Sequence, residues 1–564
     1  MSGKRQSVLV VALIAAAITL GGWLANSSEM ANPDIYLSLK KNITLFQRVY
    51  EEIILRYVDE INPDAFVKAG IEGMTRHLDP YTGYIEKEAN RSLQYLTKGK
   101  YGGVGMTISK RGDYPVVEEP PFDGTPAAKA GIREGDQIIE VDGKPTLGVS
   151  LSKVAEWLRG KPGTVVRVKI HRAGEAKPLE FRLVRDVIII HDVSYAGLLK
   201  DGIGYIRLTR FSKYSAQQVR EAVESLKKQG MTGLILDLRS NPGGLLDAAV
   251  AIVDLFVPKG ELIVYTKGRT RQSNRKYYSQ NDPILPDTPL AVLVNGASAS
   301  ASEIVAGAIQ DLDRGLIIGQ QTYGKGLVQT VIPFSKTTGL RLTTAKYYIP
   351  SGRLIQNIAR LNRDPKLFLT KDEELTADST KGKRKKAYHT KDGRLVYGGG
   401  GIKPDIEVEA PRFTNFERAL VRQSMFFNFA VNFAAQFKEK KPEKIDISPA
   451  VLEQFRNYLE EKQFTFQLEG EPEVDKLAQI AQENHFGPKV EQDLADLRAS
   501  IERRKSTEFD RHLDFIKRYL KREIAAKLFG TEGTVKADLE DDPVLRTAIR
   551  VLENPSEYAM KLGK

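Results

Sequence analysis

The chain reads as a multidomain α/β protein: a layered α/β core, a small β-rich module before it, and helical regions at both ends. Two observations predict this. From Gly202 to about Glu409, apolar strands hand over to helices through tight loops, the order of a layered sheet with functional loops at its strand ends. From Gly102 to about Val187, short β-type runs alternate with turns. With 564 residues, 41% of them hydrophobic and 28% charged, the chain has room for about three or four domains.

At the N-terminus, Lys4 and Arg5 precede Ser7 to Leu24, eighteen residues without a charge. This is the pattern of a signal peptide or a short transmembrane anchor. Trp23 occupies the position three before a cut after Ala25, which favours an uncleaved anchor with the bulk of the chain exported. Export argues against ATP and nicotinamide chemistry. The formal net charge is +12, part of it in Lys381-Gly-Lys-Arg-Lys-Lys386, a run more often a solvated loop than a binding patch. No aromatic-studded basic surface is visible, so no nucleic-acid partner is expected. The absence of cysteine excludes disulfides, thiolate metal sites and a cysteine nucleophile.

Ile35 to about Leu96 reads as helices, with Leu45, Val49, Ile53 and Ile54 at helical spacing and a turn at Asp79-Pro80-Tyr-Thr-Gly83. The β-rich module has runs at Val104–Ile108, Tyr114–Glu118, Gln137–Val141 and Val165–Ile170, and one helix over Ser150–Leu158. In the core, Ile203–Leu208, Thr232–Leu238, Leu290–Val294 and Leu316–Gly319 are strands, with helices near Ser215–Lys228, Leu245–Leu255 and after Ser300. Beyond residue 411 the composition is helical. Phe416, Leu420, Met425, Phe426, Phe429 and Phe433 form one aromatic-rich helix, read as core or dimer contact.

Chemistry concentrates in Asn295-Gly-Ala-Ser-Ala-Ser300-Ala-Ser302-Glu303 and Thr322-Tyr-Gly-Lys325-Gly-Leu-Val-Gln329. A serine hydroxyl needs a base, and none of the six histidines lies near either motif. Lys325 can serve if burial favours its neutral form, and no acid lies between Leu316 and Phe334. Ser300-x-x-Glu303 is equally a helix capping box, and a helix start also offers backbone N–H donors. Gly243 and Gly244, at the end of an earlier strand, are placed either to offer N–H groups to an oxyanion or to form a plain turn. Gly319-x-x-x-x-Gly324-Lys325 imitates a phosphate-binding loop, but Gly326 follows where a Ser or Thr is needed, and the sequence continues as strand.

Several motifs together resemble the C-terminal processing (tail-specific) proteases, serine peptidase family S41. They are Gly73-Met74 with Leu78-Asp-Pro80, Gly102-Gly-Val-Gly105, Asp237-Leu-Arg-Ser-Asn-Pro-Gly-Gly244, Ser298-Ala-Ser-Ala-Ser-Glu303, Gly324-Lys-Gly-x-Val-Gln329 and Gly400-Gly-Ile-Lys-Pro-Asp405. Pro126-Ala-Ala-Lys-Ala-Gly-Ile132 with Gly135-Asp136 resembles the PDZ signature. The resemblance implies a crotonase/ClpP-like Ser/Lys protease core with an inserted PDZ domain. The implied organisation is 1–30 signal peptide or anchor, 31–97 helical, 98–187 PDZ, 188–410 protease core and 411–564 helical extension. It also implies Ser300 as nucleophile, chosen over Ser298 and Ser302, with Lys325 as general base and Gln329 orienting the lysine. Ala301 with Gly243 or Gly244 would form the oxyanion hole. Gly103, Val104, Gly105 and Met106 match the carboxylate-binding loop, and Arg159 the arginine that senses substrate. Tyr81-Thr82 stands where His-Ser is common, a departure expected to alter only scaffold packing.

The implied function is an exported serine endopeptidase of the cell envelope, on the periplasmic side, that grips free C-termini of polypeptides and needs no metal or cofactor. Self-association and an adaptor protein stay open. A non-catalytic PDZ scaffold and an acyl-CoA enzyme of the crotonase type are the rivals. The first has no use for the Ser300, Lys325 and Gln329 set; the second accounts for neither the PDZ module nor export.

Overall fold

The structure, a computed structural model, describes residues 33–86, 99–122, 124–199, 202–335, 338–361, 386–409, 412–437 and 445–564. The N-terminal anchor segment and most of the basic run at 381–386 lie outside the described residues. Among the described residues no helix is long and apolar enough to cross a membrane. The chain divides into Met1–Leu78 and Asp79–Lys564.

The first unit holds two helices, Pro33–Arg56 and Pro63–Arg76. The second starts on Pro63 after an Asn62 cap whose side chain accepts the Ala65 N–H at 3.0 Å. On the first helix Tyr36, Leu37, Ile43, Phe46 and Val49 are exposed.

In the second unit the PDZ module is a sheet in the order 108–111, 114–117, 137–141, 165–171, 179–184, with 144–145 added beside 137–141. Val165–His171 alternates because one face packs on the module core: Val166, Val168 and Ile170 are buried between exposed neighbours. Helix Leu151–Leu158 starts at Ser150, as expected, and buries Val154 and Leu158 in the same core. The run Val104–Ile108 is not a strand. Strands cover Lys100–Gly103 and Ile108–Arg111, and 104–107 is an irregular loop between them. Strand Lys100–Gly103 pairs antiparallel with Asp186–Ile189, forming a ribbon across which the chain enters and leaves the module.

The core is built on a sheet ordered 193–198, 203–208, 233–237, 290–294, 316–319, 406–407. Its first pair is antiparallel and the rest are parallel. Leu290–Val294 is buried at every position, because helices cover both faces of a parallel sheet. One face packs on Ser215–Lys228, Leu246–Val253 and Ala301–Asp311. The other is covered by Pro543–Leu552, whose Leu545, Ala548 and Val551 meet Tyr205, Ile235 and Leu293. The last part of the helical extension is thus a layer of the α/β core. A second sheet, which the sequence reading did not find, joins Gly83–Ile85, Gly339–Tyr348, Leu262–Gly268 and Arg275–Tyr278, with Leu327–Pro333 also paired to Gly339–Tyr348.

The expected single aromatic helix is two, Asn415–Arg422 and Met425–Ala434, broken where Ser424 adopts φ 59°. Its rings do form a core: Phe426 stacks on Phe455 at 5.1 Å, and Phe413 meets Phe515 edge-on at 5.3 Å. This bundle docks on the PDZ module. The Arg111 guanidinium lies 3.7 Å from the centre of the Phe427 ring and donates to Ser424 Oγ at 2.5 Å. Lys527 pairs with Glu134 in the same seam.

Candidate active site

Ser300 sits where strand Leu290–Val294 passes into helix Ala301–Asp311. Its backbone has φ 56° and ψ −113°, a region that an L residue enters only at a cost. Such a strained strand-to-helix turn presents a nucleophile's side chain at the end of a sheet. The neighbouring serines are spoken for. Ser298 is fully buried and donates to Leu238 O at 2.8 Å; Ser302 is fully buried and donates to Asn241 O at 2.9 Å. Of the three, Ser300 alone is part-exposed.

Lys325 approaches from the other sheet, in the loop that leads into strand Leu327–Pro333. Strand rather than helix follows, which agrees with rejecting the phosphate-loop reading. Glu303 ties the two loops together. One of its oxygens accepts the N–H of Ser300 at 2.8 Å and of Lys325 at 2.9 Å; the other accepts Gly324 N–H at 2.7 Å and Thr322 Oγ1 at 2.5 Å. Burial pushes this carboxyl up to about 7, and the four donors oppose the rise. The Tyr347 hydroxyl adds a second tie, lying 3.1 Å from Ser300 O and hydrogen-bonded to Lys325 O. Glu303 was legible as a capping residue, but its hold on the lysine loop was not.

Burial lowers the Lys325 amine below the ordinary lysine range, and Arg341 adds to the effect. Glu303 and Asp79 pull the other way without reversing it. The local sequence holds no acid, but the fold supplies two from elsewhere. Gln329 donates from Nε2 to Thr343 Oγ1 at 3.4 Å; among the described residues it forms no hydrogen bond to Lys325.

The loop after strand Gly233–Asp237 lies against Ser300. A Cβ on Gly243 would stand 2.6 Å from Ala299 O, 2.8 Å from Ala301 N and 2.9 Å from Ser300 Cβ, so only glycine fits there. The Gly243 N–H donates to Asn241 Oδ1 at 2.9 Å and is engaged. The N–H groups of Gly244 and Ala301 find no partner among the described residues. Of the three N–H groups expected near an oxyanion, those of Ala301 and Gly244 are thus left open and that of Gly243 is not.

Tyr81, expected to affect scaffold packing, has the centre of its ring 4.8 Å from the Lys325 amine.

In the PDZ module, Gly103 ends its strand, and Val104 and Met106 bury their side chains. The N–H groups of Val104, Gly105 and Met106 take no partner among the described residues. Strand Ile108–Arg111, which follows, is the edge of its sheet. Arg159 closes helix Leu151–Leu158 with its guanidinium 5.5 Å from the centre of the Tyr101 ring, on the connecting ribbon.

A layered α/β core with a part-exposed serine on a strained turn, beside a lysine below its usual range, defines a serine-hydrolase class of site. Residues 202–364 match the model of peptidase family S41, residues 123–172 a PDZ domain, and residues 416–552 the C-terminal helical domain of probable PDZ-proteases. The carboxy-terminal-processing protease of Bartonella bacilliformis is 40% identical over 322 residues, 56% of this chain and 73% of that one. The carboxyl-terminal-processing protease of Synechocystis sp. is 41% identical over 295 residues, 51% of this chain and 68% of that one. Among solved structures, a photosystem II D1 C-terminal processing protease is 30% identical, covering 64% of this chain and 86% of the other, with a TM-score of 0.34. The chain belongs to peptidase family S41, and it is a serine peptidase carrying a PDZ domain and a C-terminal helical domain.

Proposed function

We propose that this peptidase captures polypeptides by their free C-termini and cleaves them with Ser300 and Lys325. The observation that carries the reading is the Glu303 clamp, which holds the loops of both residues on one carboxylate. In the proposed reaction the neutral Lys325 amine takes the Ser300 proton as the hydroxyl oxygen attacks the scissile carbonyl. The carbonyl electrons move to oxygen, where the Ala301 and Gly244 N–H groups receive them. The lysine returns the proton to the leaving amine, and water then hydrolyses the acyl-enzyme. Gln329 is assigned to orienting the lysine.

The three unpaired N–H groups at Val104, Gly105 and Met106 suit a terminal carboxylate, and the free edge at Ile108–Arg111 suits an added peptide strand. Arg159, which caps helix Leu151–Leu158 and faces Tyr101 on the ribbon, is assigned to reporting that occupancy to the core. Residues 1–30 are assigned to export and membrane attachment, which places the substrates in the envelope.

Ser300→Ala and Lys325→Ala are each expected to abolish cleavage of an unstructured peptide while the protein stays folded by circular dichroism. Amidating the peptide's C-terminus is expected to weaken its binding to Ser300→Ala. Undiminished cleavage by either variant removes the dyad; equal binding of amide and acid removes the capture mode.

A further inference from the structure

The turn that opens the second unit ends beside the base. Asp79 Oδ1 accepts the N–H groups of Tyr81 at 2.8 Å and Thr82 at 2.7 Å, and Asp79 Oδ2 accepts Thr82 Oγ1 at 2.8 Å. This Asx-type turn fixes the backbone of Tyr81 from one side. Arg341 fixes it from the other, donating from Nε to Tyr81 O at 2.7 Å, and Gly83–Ile85 then pairs with Gly339–Arg341. The ring so held faces the Lys325 amine at 4.8 Å from its centre. The hydroxyl end is buried, with Tyr323 and Gln356 beside it and Arg360 stacked 4.0 Å from the Tyr323 ring centre.

An aromatic face attracts an ammonium and does nothing comparable for a neutral amine, and the attraction grows where water is excluded. Lys325 alternates between these forms in the proposed cycle: neutral before attack, ammonium once it holds the serine proton. We infer that Tyr81 is a positioning residue of the general base, whose ring face holds the Lys325 amine and stabilises the ammonium formed when Ser300 is deprotonated. The inference rests on the Ser300–Lys325 reading above. Four charged or titratable groups face the amine besides the ring. Glu303 comes from the helix start, Asp79 from the turn and Arg341 from the paired strand. Tyr347, fully buried, is hydrogen-bonded at the lysine's own carbonyl. None of these offers an aromatic face at the amine, so the ring's contribution can be separated from theirs.

The test is the pH profile of kcat/KM on a fluorogenic peptide. A base must be neutral, so activity rises with pH through the lysine's pKa. Tyr81→Phe keeps the face and is expected to hold the acid limb in place. Tyr81→Leu keeps most of the bulk without the face. Its acid limb is expected to move to lower pH by about half a unit to one unit, with kcat lowered about three- to tenfold and KM little changed. If Tyr81→Leu does not fold, phenylalanines with one, two and three ring fluorines at position 81 should move the limb down stepwise, since fluorine weakens the face without removing it. A limb that stays in place or moves up overturns the inference. Lys325→Ala, measured alongside, separates the two failures: if it is inactive while the limb is immobile, only the role of the ring is lost, and if it is active the dyad itself is lost.

Discussion

Two lysines in this molecule have opposite surroundings. Lys527, at the seam between the helical bundle and the PDZ module, is 4% exposed at its side chain and pairs with Glu134 and, at 3.3 Å, with Glu523. Its amine also lies 3.9 Å from the centre of the Phe427 ring. Lys325 forms no salt bridge among the described residues, and its amine lies over the Tyr81 ring. Both amines meet a ring, so the difference lies in the carboxylates. At the seam they are in contact with the amine, and the pair serves docking. At the active site Glu303 spends its oxygens on backbone N–H groups and Thr322, and burial is left free to push the lysine toward neutrality. The two lysines differ in what the nearby acids are bonded to.

Replacing each lysine by methionine should split these roles, and this is the largest effect expected. Lys325→Met should lose activity by at least about 100- to 10,000-fold, the usual worth of a positioned general base. It should not lose stability. A lysine whose folded pKa is depressed costs stability in full below that lowered value, and the cost fades as pH rises from there toward the ordinary lysine value. Lys527→Met should do the reverse, retaining activity below its melting temperature and losing about 3–5 kcal/mol by stranding Glu134. Thermal unfolding beside a peptide assay reads both. Comparable stability losses in the two variants would break the contrast.

A smaller effect sharpens the seam. Burial raises the Glu134 carboxyl to about 7 despite Lys527. A carboxyl raised in this way binds more protons folded than unfolded between its ordinary value and about 7, so its contribution to stability falls as pH rises through that window. The loss in Lys527→Met should therefore be larger at about pH 8 than at about pH 5, and Glu134→Leu added to it should recover most of the difference. A loss independent of pH would mean that Glu134 stays neutral in the seam.

The residues that act in this contrast were unequally visible in the sequence. Leu290–Val294 announced itself because a strand covered on both faces must be apolar at every position, and Ser300 followed as the residue at its exit. The choice against Ser298 and Ser302 rested on the family resemblance; the fold adds the physical reason, since their hydroxyls are satisfied by Leu238 and Asn241, some sixty residues away in sequence. The second sheet was missed because Gly339–Tyr348 carries Arg, Thr and Lys along a half-exposed strand and pairs with partners as distant as Gly83–Ile85. Tyr81 was missed with it, because only that pairing brings the turn to Lys325. The return of Pro543–Leu552 onto the core sheet was hidden likewise: an amphipathic helix declares an apolar face, not what it covers.

The smallest effect isolates Arg341, the cation that, among the described residues, bears on the Lys325 amine. Arg341 lowers the Lys325 amine through its charge and holds Tyr81 O through its Nε. Arg341→Gln removes the charge and keeps a donor for that carbonyl, so the ring should stay in place while the repulsion on the ammonium disappears. The lysine should then hold its proton to higher pH, and the acid limb of kcat/KM should rise by less than about one unit. Raised salt should mimic part of this shift in the parent and none of it in the variant, because Arg341 is exposed and its charge is screened. The direction is opposite to that expected for Tyr81→Leu. If both substitutions moved the limb the same way, the ring and the charge would be acting through a shared displacement of the 79–85 turn, and the lysine's pKa would be set by how tightly that turn closes over it.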